Sequence, residues 1–245
     1  LNLWIALRYG IIFAQVAPTS EERMMSGAVK LLPMLNHKRE YVVVSVGGSL
    51  IVPGEIDTAF LSAFRTFILD AIRRGVSFFI ITGGGKTARH YQDAARTIRG
   101  DLSREDLDWL GIHATRQNAH LMRALFAEEA QARIVKNPER GVRGKASVIV
   151  GAGWKPGWST DYCAVMAAKK LGAKKLVNLS NIDYVYDADP KKNPDAQRLE
   201  KVSWKEFRAL IPTEWDPGLS SPFDPVAAKA AEAGRLEVAI INGAN

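Results

Sequence analysis

The sequence predicts an α/β protein, a three-layer α/β/α sandwich around a mostly parallel central sheet. Three observations carry this. Short β-branched runs alternate with amphipathic, helix-length segments from residue 41 to the end. Those runs are continuously apolar rather than alternating, as in strands buried on both faces. Two of them open directly into glycine clusters, Gly47-Gly48-Ser49 after residues 41–46 and Gly83-Gly84-Gly85-Lys86 after residues 76–82.

The elements follow in order. Residues 41–46 are the first strand. Residues 57–74 form a helix whose stripe is Phe60, Phe64, Phe67, Ile68, Ala71 and Ile72, stopped at Gly75. A strand at 76–82 leads through the second glycine cluster into a helix at 86–98. Residues 106–130 form a long helix bearing Leu107, Leu110, Ala114, Leu121, Leu125 and Phe126. Residues 132–135 and 146–150 read as strands. A small-residue helix covers 160–171, a strand 174–180, and residues 181–201 are polar and turn-rich. Helices at 203–210 and 224–233 precede a last strand at 236–241. Residues 1–40 read as an N-terminal extension outside the fold, and 41–245 as one domain. The apolar stretch 1–17 is interrupted by Arg8, Gly10 and Gln15, is short against the roughly 20 residues of a membrane span, and lacks the basic start of a signal peptide. Met24, Met25 and Met34 each offer a start. The closing Asn242-Gly243 suggests a further element beyond Asn245.

Composition narrows the function classes. An apolar fraction of 47% suits an ordinary globular core. The net charge of +7 is spread without a long basic run, which favours small anionic ligands over nucleic acid. The single Cys163 excludes an internal disulfide, suits a reducing, cytoplasmic setting, and reads as a core residue rather than a nucleophile.

A glycine loop at the end of a buried strand lets backbone N–H groups approach an anion, and two such loops in one sheet suit a polyphosphate or two phosphorylated ligands. Gly85-Lys86-Thr87 is not a Walker A loop, because the position five before Gly85 is Ile80. Gly83-x-Gly85-x-x-Ala88 matches the loose dinucleotide fingerprint, yet Asp108, at the spacing of its acidic residue, falls in a helical region. A plain strand–helix turn needs neither three glycines nor the following Lys86 and Arg89, which lie where a helix N-terminus attracts anions.

Two later loops resemble ligand clasps. Residues 151–161 carry Trp154, Lys155, Pro156, Gly157, Trp158, Ser159, Thr160 and Asp161; the last three also suit a helix cap. Residues 178–194 carry Ser180, Tyr186, Asp189, Lys191 and Lys192, suited to a purine and its phosphates or to a solvated turn. His113 and His120, seven apart with no partner at ligand spacing, do not make a zinc site.

Taken in order, Val46-Gly47-Gly48-Ser49-Leu50, residues 83–89, residues 110–119, Pro156 to Asp161 and Asp187 to Lys192 resemble the amino acid kinase superfamily, and within it the archaeal-type uridylate kinases. The resemblance implies the amino acid kinase (carbamate kinase-like) fold and transfer of the ATP γ-phosphoryl group to UMP with Mg²⁺, in a cytoplasmic hexamer. It places Gly48, Ser49, Gly85 and Arg89 at the ATP phosphates, and Ser180, Tyr186 and Asp189 at adenosine. Gly84 would face the UMP phosphate, Asp108 the UMP ribose, and Trp154, Lys155, Pro156, Gly157, Trp158, Ser159 and Thr160 would form the UMP loop. Lys192 would neutralise the transferring group, with Lys191 close behind, Ser49 would also be catalytic, and Asp161 would organise Mg²⁺ or orient that lysine. The chain departs from the family pattern at Trp154 and Trp158, where small or polar residues are usual, and at Tyr184, where glycine is usual. Two alternatives stay open: another phosphotransferase of the superfamily, such as an isopentenyl phosphate kinase, and a nucleotide-binding storage or regulatory protein.

Overall fold

The computed structural model describes residues 40–140, 146–182, 184–188, 193–213 and 221–243. Its centre is a five-stranded parallel sheet in the order β3-β2-β1-β4-β7. The strands are β1 (Tyr41–Val46), β2 (Ser77–Thr82), β3 (Val148–Gly151), β4 (Lys175–Ser180) and β7 (Glu237–Asn242). A separate two-stranded hairpin, β5 (Val185–Tyr186) and β6 (Arg198–Leu199), follows β4.

Register sorts the core into two halves. Val44 lies between Ile80 and Val177, and Val43 between Phe79 and Leu176. The first row faces Phe64 and Ile68 of α2 (Thr58–Arg73) and Met122 of α4 (Arg104–Leu125). Phe126, just past α4, closes that layer edge-on to Phe64 at 6.5 Å. The second row faces Ala164, Ala167 and Ala168 of α5 (Thr160–Leu171) and Ala227 and Ala231 of α7 (Pro225–Ala233). Alanines on both helices let two backbones approach the sheet and each other, which is why this layer is built with so few large side chains. Phe207 of α6 (Trp204–Leu210) completes it. Helix starts are set by Asp57, Ser103, Ser159, Ser203 and Asp224, each accepting a backbone N–H of its own first turn.

Several elements differ from the sequence expectation. The helix expected over 106–130 runs from Arg104 to Leu125, because Ser103 caps it and the chain turns at Phe126. The strand expected at 132–135 is reduced to isolated bridges of Ala130 and Val135 with β3, since that segment only brushes the sheet edge. The turn-rich 181–201 contains the β5–β6 hairpin, whose strands are too short for a period-2 signal. Two further elements had no sequence signal: α1 (Gly48–Ile51), a single turn straight after the first glycines, and a 3₁₀ turn at Pro138–Arg140.

Topology places the site. The chain runs outward from β1 to β2 and β3, then returns across β1 to β4, so the connections diverge at the carboxyl ends of β1 and β4. Ligands of open α/β sheets bind at such a point. Both glycine clusters lie there. Gly172 and Gly48 separate two uses of glycine. Gly172 has φ +73° with open space around its missing Cβ, whereas a Cβ on Gly48 would sit 2.0 Å from the Gly85 nitrogen. Gly172→Ala is expected to lower stability by about 1–2 kcal/mol, and Gly48→Ala by more than about 3 kcal/mol, beyond ordinary overpacking. Urea denaturation midpoints measure both.

Candidate active site

The two glycine loops interlock backbone to backbone. Gly83 N–H donates to Val46 O (2.9 Å), Gly47 N–H to Leu179 O (2.8 Å) and Lys86 N–H to Val52 O (2.9 Å). Gly85 has φ +64°, and a Cβ there would lie 2.3 Å from Gly48 O; one on Gly83 would lie 2.4 Å from Gly48 N. Only glycine fits both sides of this contact. The interlock brings the starts of α1 and of α3 (Gly85–Ile98) together, and their N-caps, Gly47 and Gly84, have no side chain with which to occupy the first N–H groups. Lys86 N–H is taken by Val52 O, and the first-turn N–H groups left without a capping side chain at such helix starts form a cradle suited to an anion. Ser49 lies in α1, and Arg89 is exposed in the second turn of α3.

A polar ridge on α4 organises what surrounds the cradle. Buried Asn118 donates its Nδ2–H to Gly83 O (2.8 Å) and Gly84 O (3.3 Å), so the loop's carbonyls turn toward α4. Thr115 Oγ1 accepts from Gly153 N–H (2.8 Å), and Arg116 donates to Gly153 O (3.4 Å) and Trp154 O (2.9 Å). Asp108 Oδ2 accepts from Gly157 N–H (2.7 Å). The loop 152–159 is therefore hung from α4 at both ends. Within the loop only Gly157, at φ +78°, uses glycine's freedom.

Within that loop the aromatic residues pack on one another. Trp154 and Trp158 meet edge-on at 4.5 Å, and Trp158 meets Tyr162 at 4.3 Å. Lys155 Nζ lies 4.3 Å and 4.7 Å from the two indole centroids, a double cation–π contact. Pro156 and Thr160 are half-buried, and Ser159 caps α5 by accepting from Tyr162 N–H (3.0 Å). On the opposite side of the crevice, Ser180 ends β4 and Tyr186 lies in β5, its ring edge-on to exposed Tyr184 at 6.4 Å. Arg198 covers the Tyr184 ring at 4.0 Å. Asp189, Lys191 and Lys192 lie outside the described residues.

Asp161 sits in the first turn of α5. Its Oδ1 accepts from Ser45 Oγ (3.0 Å) and Asn178 Nδ2 (3.4 Å), and its Oδ2 from Asp224 N–H (3.4 Å). Although the residue keeps some surface, its carboxyl is desolvated, and this burial raises its pKa from 3.8 to about 6; the Ser45 hydrogen bond opposes the rise and the Asp224 charge adds to it. Burial also raises Asp224, which caps α7 by accepting from Ala227 N–H (2.6 Å). Burial pushes the Cys163 thiol up to about 12, in keeping with a core side chain. Sequence reasoning assigned no role to Ser45, Thr115, Arg116, Asn118, Asn178 or Asp224. Thr115, Arg116 and Asn118 stand inside a motif it singled out, and Ser45 and Asn178 are visible as polar breaks in apolar strands.

Interlocked glycine loops at the switch point of a parallel sheet, with a second loop hung across the crevice, define a three-layer α/β/α protein built to hold phosphorylated ligands. The chain belongs to the amino acid kinase family, which residues 40–242 match. It is similar to the uridylate kinase of Thermococcus sibiricus, 34% identical over 203 residues, covering 82% of this chain and 89% of the relative. The uridylate kinase of Pyrococcus abyssi is 35% identical over 191 residues, covering 76% and 83%. Among solved structures, the uridylate kinase of Archaeoglobus fulgidus superposes with a TM-score of 0.67 at 28% identity, covering 82% of this chain and 90% of that one. The UMP kinase of Bacillus anthracis shares the fold, with a TM-score of 0.67 at 17% identity.

Two outcomes follow from this geometry. Asn118→Leu takes the side-chain donor from buried Gly83 O, while Gly84 O keeps Ala88 N–H, and is expected to lower stability by about 1–3 kcal/mol, read from the urea midpoint. Asp161 has its pKa raised on folding, so its ionisation is disfavoured in the native state, and its contribution falls as pH rises from about 4 to about 6. A rise from 3.8 to about 6 corresponds to at most about 3 kcal/mol. Asp161→Asn should remove that part of the slope, so its stability relative to the unsubstituted protein should improve between pH 4 and pH 7, measured by denaturation at both.

Proposed function

We propose that this protein transfers the γ-phosphoryl group of ATP to UMP, giving UDP and ADP. The observation that carries the reading is the interlock of the two glycine loops, which sets two helix starts against one crevice, in a chain about a third identical to uridylate kinases along most of its length. A UMP phosphate oxygen attacks the γ-phosphorus, the bond to the β–γ bridging oxygen breaks, and ADP leaves. The acceptor oxygen is already anionic, so alignment and charge neutralisation supply the catalysis rather than a general base.

The residue roles in this reading are those the family resemblance implies. Gly48, Ser49 and Gly85 offer N–H donors to the ATP phosphates, and Arg89, on the same helix as Gly85, reaches them as a mobile cation. Gly84 faces the UMP phosphate. Asp108, which also holds the Gly157 amide, binds the UMP ribose, and the loop Trp154–Thr160 closes the acceptor side. Ser180 and Tyr186, with Asp189, hold adenosine, and Lys192 neutralises the transferring group.

Among the described residues no group of three or more His, Cys, Asp or Glu is placed to hold a metal ion. The oxygens of Asp161 are already engaged by Ser45, Asn178 and the Asp224 amide. That donor set suits a Mg²⁺ carried in on the phosphate oxygens of ATP rather than caged by protein. When bound, the ion would neutralise charge on the β- and γ-phosphates. Among the described residues no helix is long and apolar enough to cross a membrane. We place the enzyme in the cytoplasm as a hexamer.

Coupled measurement of ADP release with UMP, CMP and isopentenyl phosphate tests the reading. UMP should give the highest kcat/KM; turnover of another acceptor with none of UMP would overturn it, and tight ATP binding with no ADP release for any acceptor would point to storage instead. Asp108→Ala should raise the KM for UMP roughly ten- to a hundredfold, the value of one charge-assisted hydrogen bond, with the KM for ATP little changed.

A further inference from the structure

Strands β1 and β4 lie side by side at the centre of the sheet, and on the face covered by α5 their residues are apolar until the last turn before the loops. There Ser45 and Asn178 are register partners, both buried. A hydroxyl and an amide in such a place cost free energy unless their hydrogen bonds are made, and valine or alanine would fill it more cheaply. Both groups direct a donor to the same atom, Asp161 Oδ1, at 3.0 Å and 3.4 Å. The Asp224 N–H, at 3.4 Å, takes the other oxygen. A carboxyl held by one donor can swing about its last torsion; one held by two donors on one oxygen and a backbone amide on the other has a single orientation. Ser45 lies two residues before Gly47 and Asn178 two before Ser180, so the group they hold lies near the carboxyl ends of β1 and β4, from which the first glycine loop springs. The ionisable groups packed about it are Asp224 at the start of α7 and Cys163 on α5.

We propose that Ser45 and Asn178 are positioning residues for phosphoryl transfer: acting through Asp161, they hold a carboxyl in a set orientation below the carboxyl ends of β1 and β4, where the reacting phosphates bind. This rests on the phosphotransferase reading of the site. A residue that orients such a group alters the reaction step and leaves ground-state binding nearly untouched.

The test is a double-mutant cycle with steady-state kinetics on ATP and UMP. Ser45→Ala should lower kcat about tenfold or more while both KM values stay within about twofold, and Ser45→Thr, which keeps the hydroxyl, should recover most of the loss. In an Asp161→Asn background Ser45→Ala should have little further effect, because its partner has already been altered. An unchanged kcat in Ser45→Ala, or losses that simply add across the cycle, would overturn the proposal. A protein that leaves UMP untouched defeats only the acceptor assignment. For that case the ¹³C resonance of the Asp161 carboxyl reads positioning without turnover. Ser45→Ala should shift it and raise its titration midpoint, since the lost hydrogen bond favours the ionised form; an unmoved resonance and midpoint would overturn the proposal there as well.

Discussion

The contact between Gly48 and the segment Gly83 to Gly85 is the constraint on which the rest of the structure depends. A Cβ on any of Gly48, Gly83 or Gly85 would meet the other loop's backbone at 2.0–2.4 Å, so the two loops touch main chain to main chain. Backbone cannot move aside as the end of a side chain can. The interlock therefore fixes where α1 and α3 begin relative to each other. Preorganised donors at such starts act without rearranging during the reaction, which is what makes them effective on developing phosphate charge.

Helix α4 carries that precision outward. Its ridge of Asp108, Thr115, Arg116 and Asn118 is spaced to present one face, and that face addresses backbone groups almost exclusively: carbonyls of the glycine loop, and amides and carbonyls of the loop 152–159. The two sides of the crevice thus share one rigid support. The aromatic packing of Trp154, Trp158 and Tyr162 stiffens the loop 152–159 further. Burial of Asp161 and Asp224 runs the other way. Two carboxyls desolvated near each other oppose folding at neutral pH, and local strain of this sort is characteristic of sites selected for chemistry rather than stability.

Much of the fold was legible because its signals are local. Continuous apolar strands, a helical stripe ending at Gly75, and Ser or Asp caps each act within a few residues, and β1 and α5 match the expected bounds residue for residue. What escaped was decided by distant partners. Whether residues 132–135 pair along a full strand depends on how the chain passes the sheet edge after α4, and the hairpin at 185–199 depends on pairing too short to leave a period. The site was legible in part for the same reason. Glycines at strand ends mark the two loops from the sequence alone, but Asn118 or Asp224 gains a role only when the fold brings it to a partner 35 or 63 residues away.

The sequence by itself determined the alternation of strands and helices, the buried character of the sheet, the two glycine loops and the family they resemble, because propensity, capping and glycine's freedom are properties of short segments. Only the tertiary structure decided that the two loops interlock, that α4 holds both sides of the crevice, and that Ser45 and Asn178 converge on one carboxyl oxygen. Those facts depend on strand order and register, which bring residues far apart in the chain within hydrogen-bond distance, and no local preference encodes a distance of that kind.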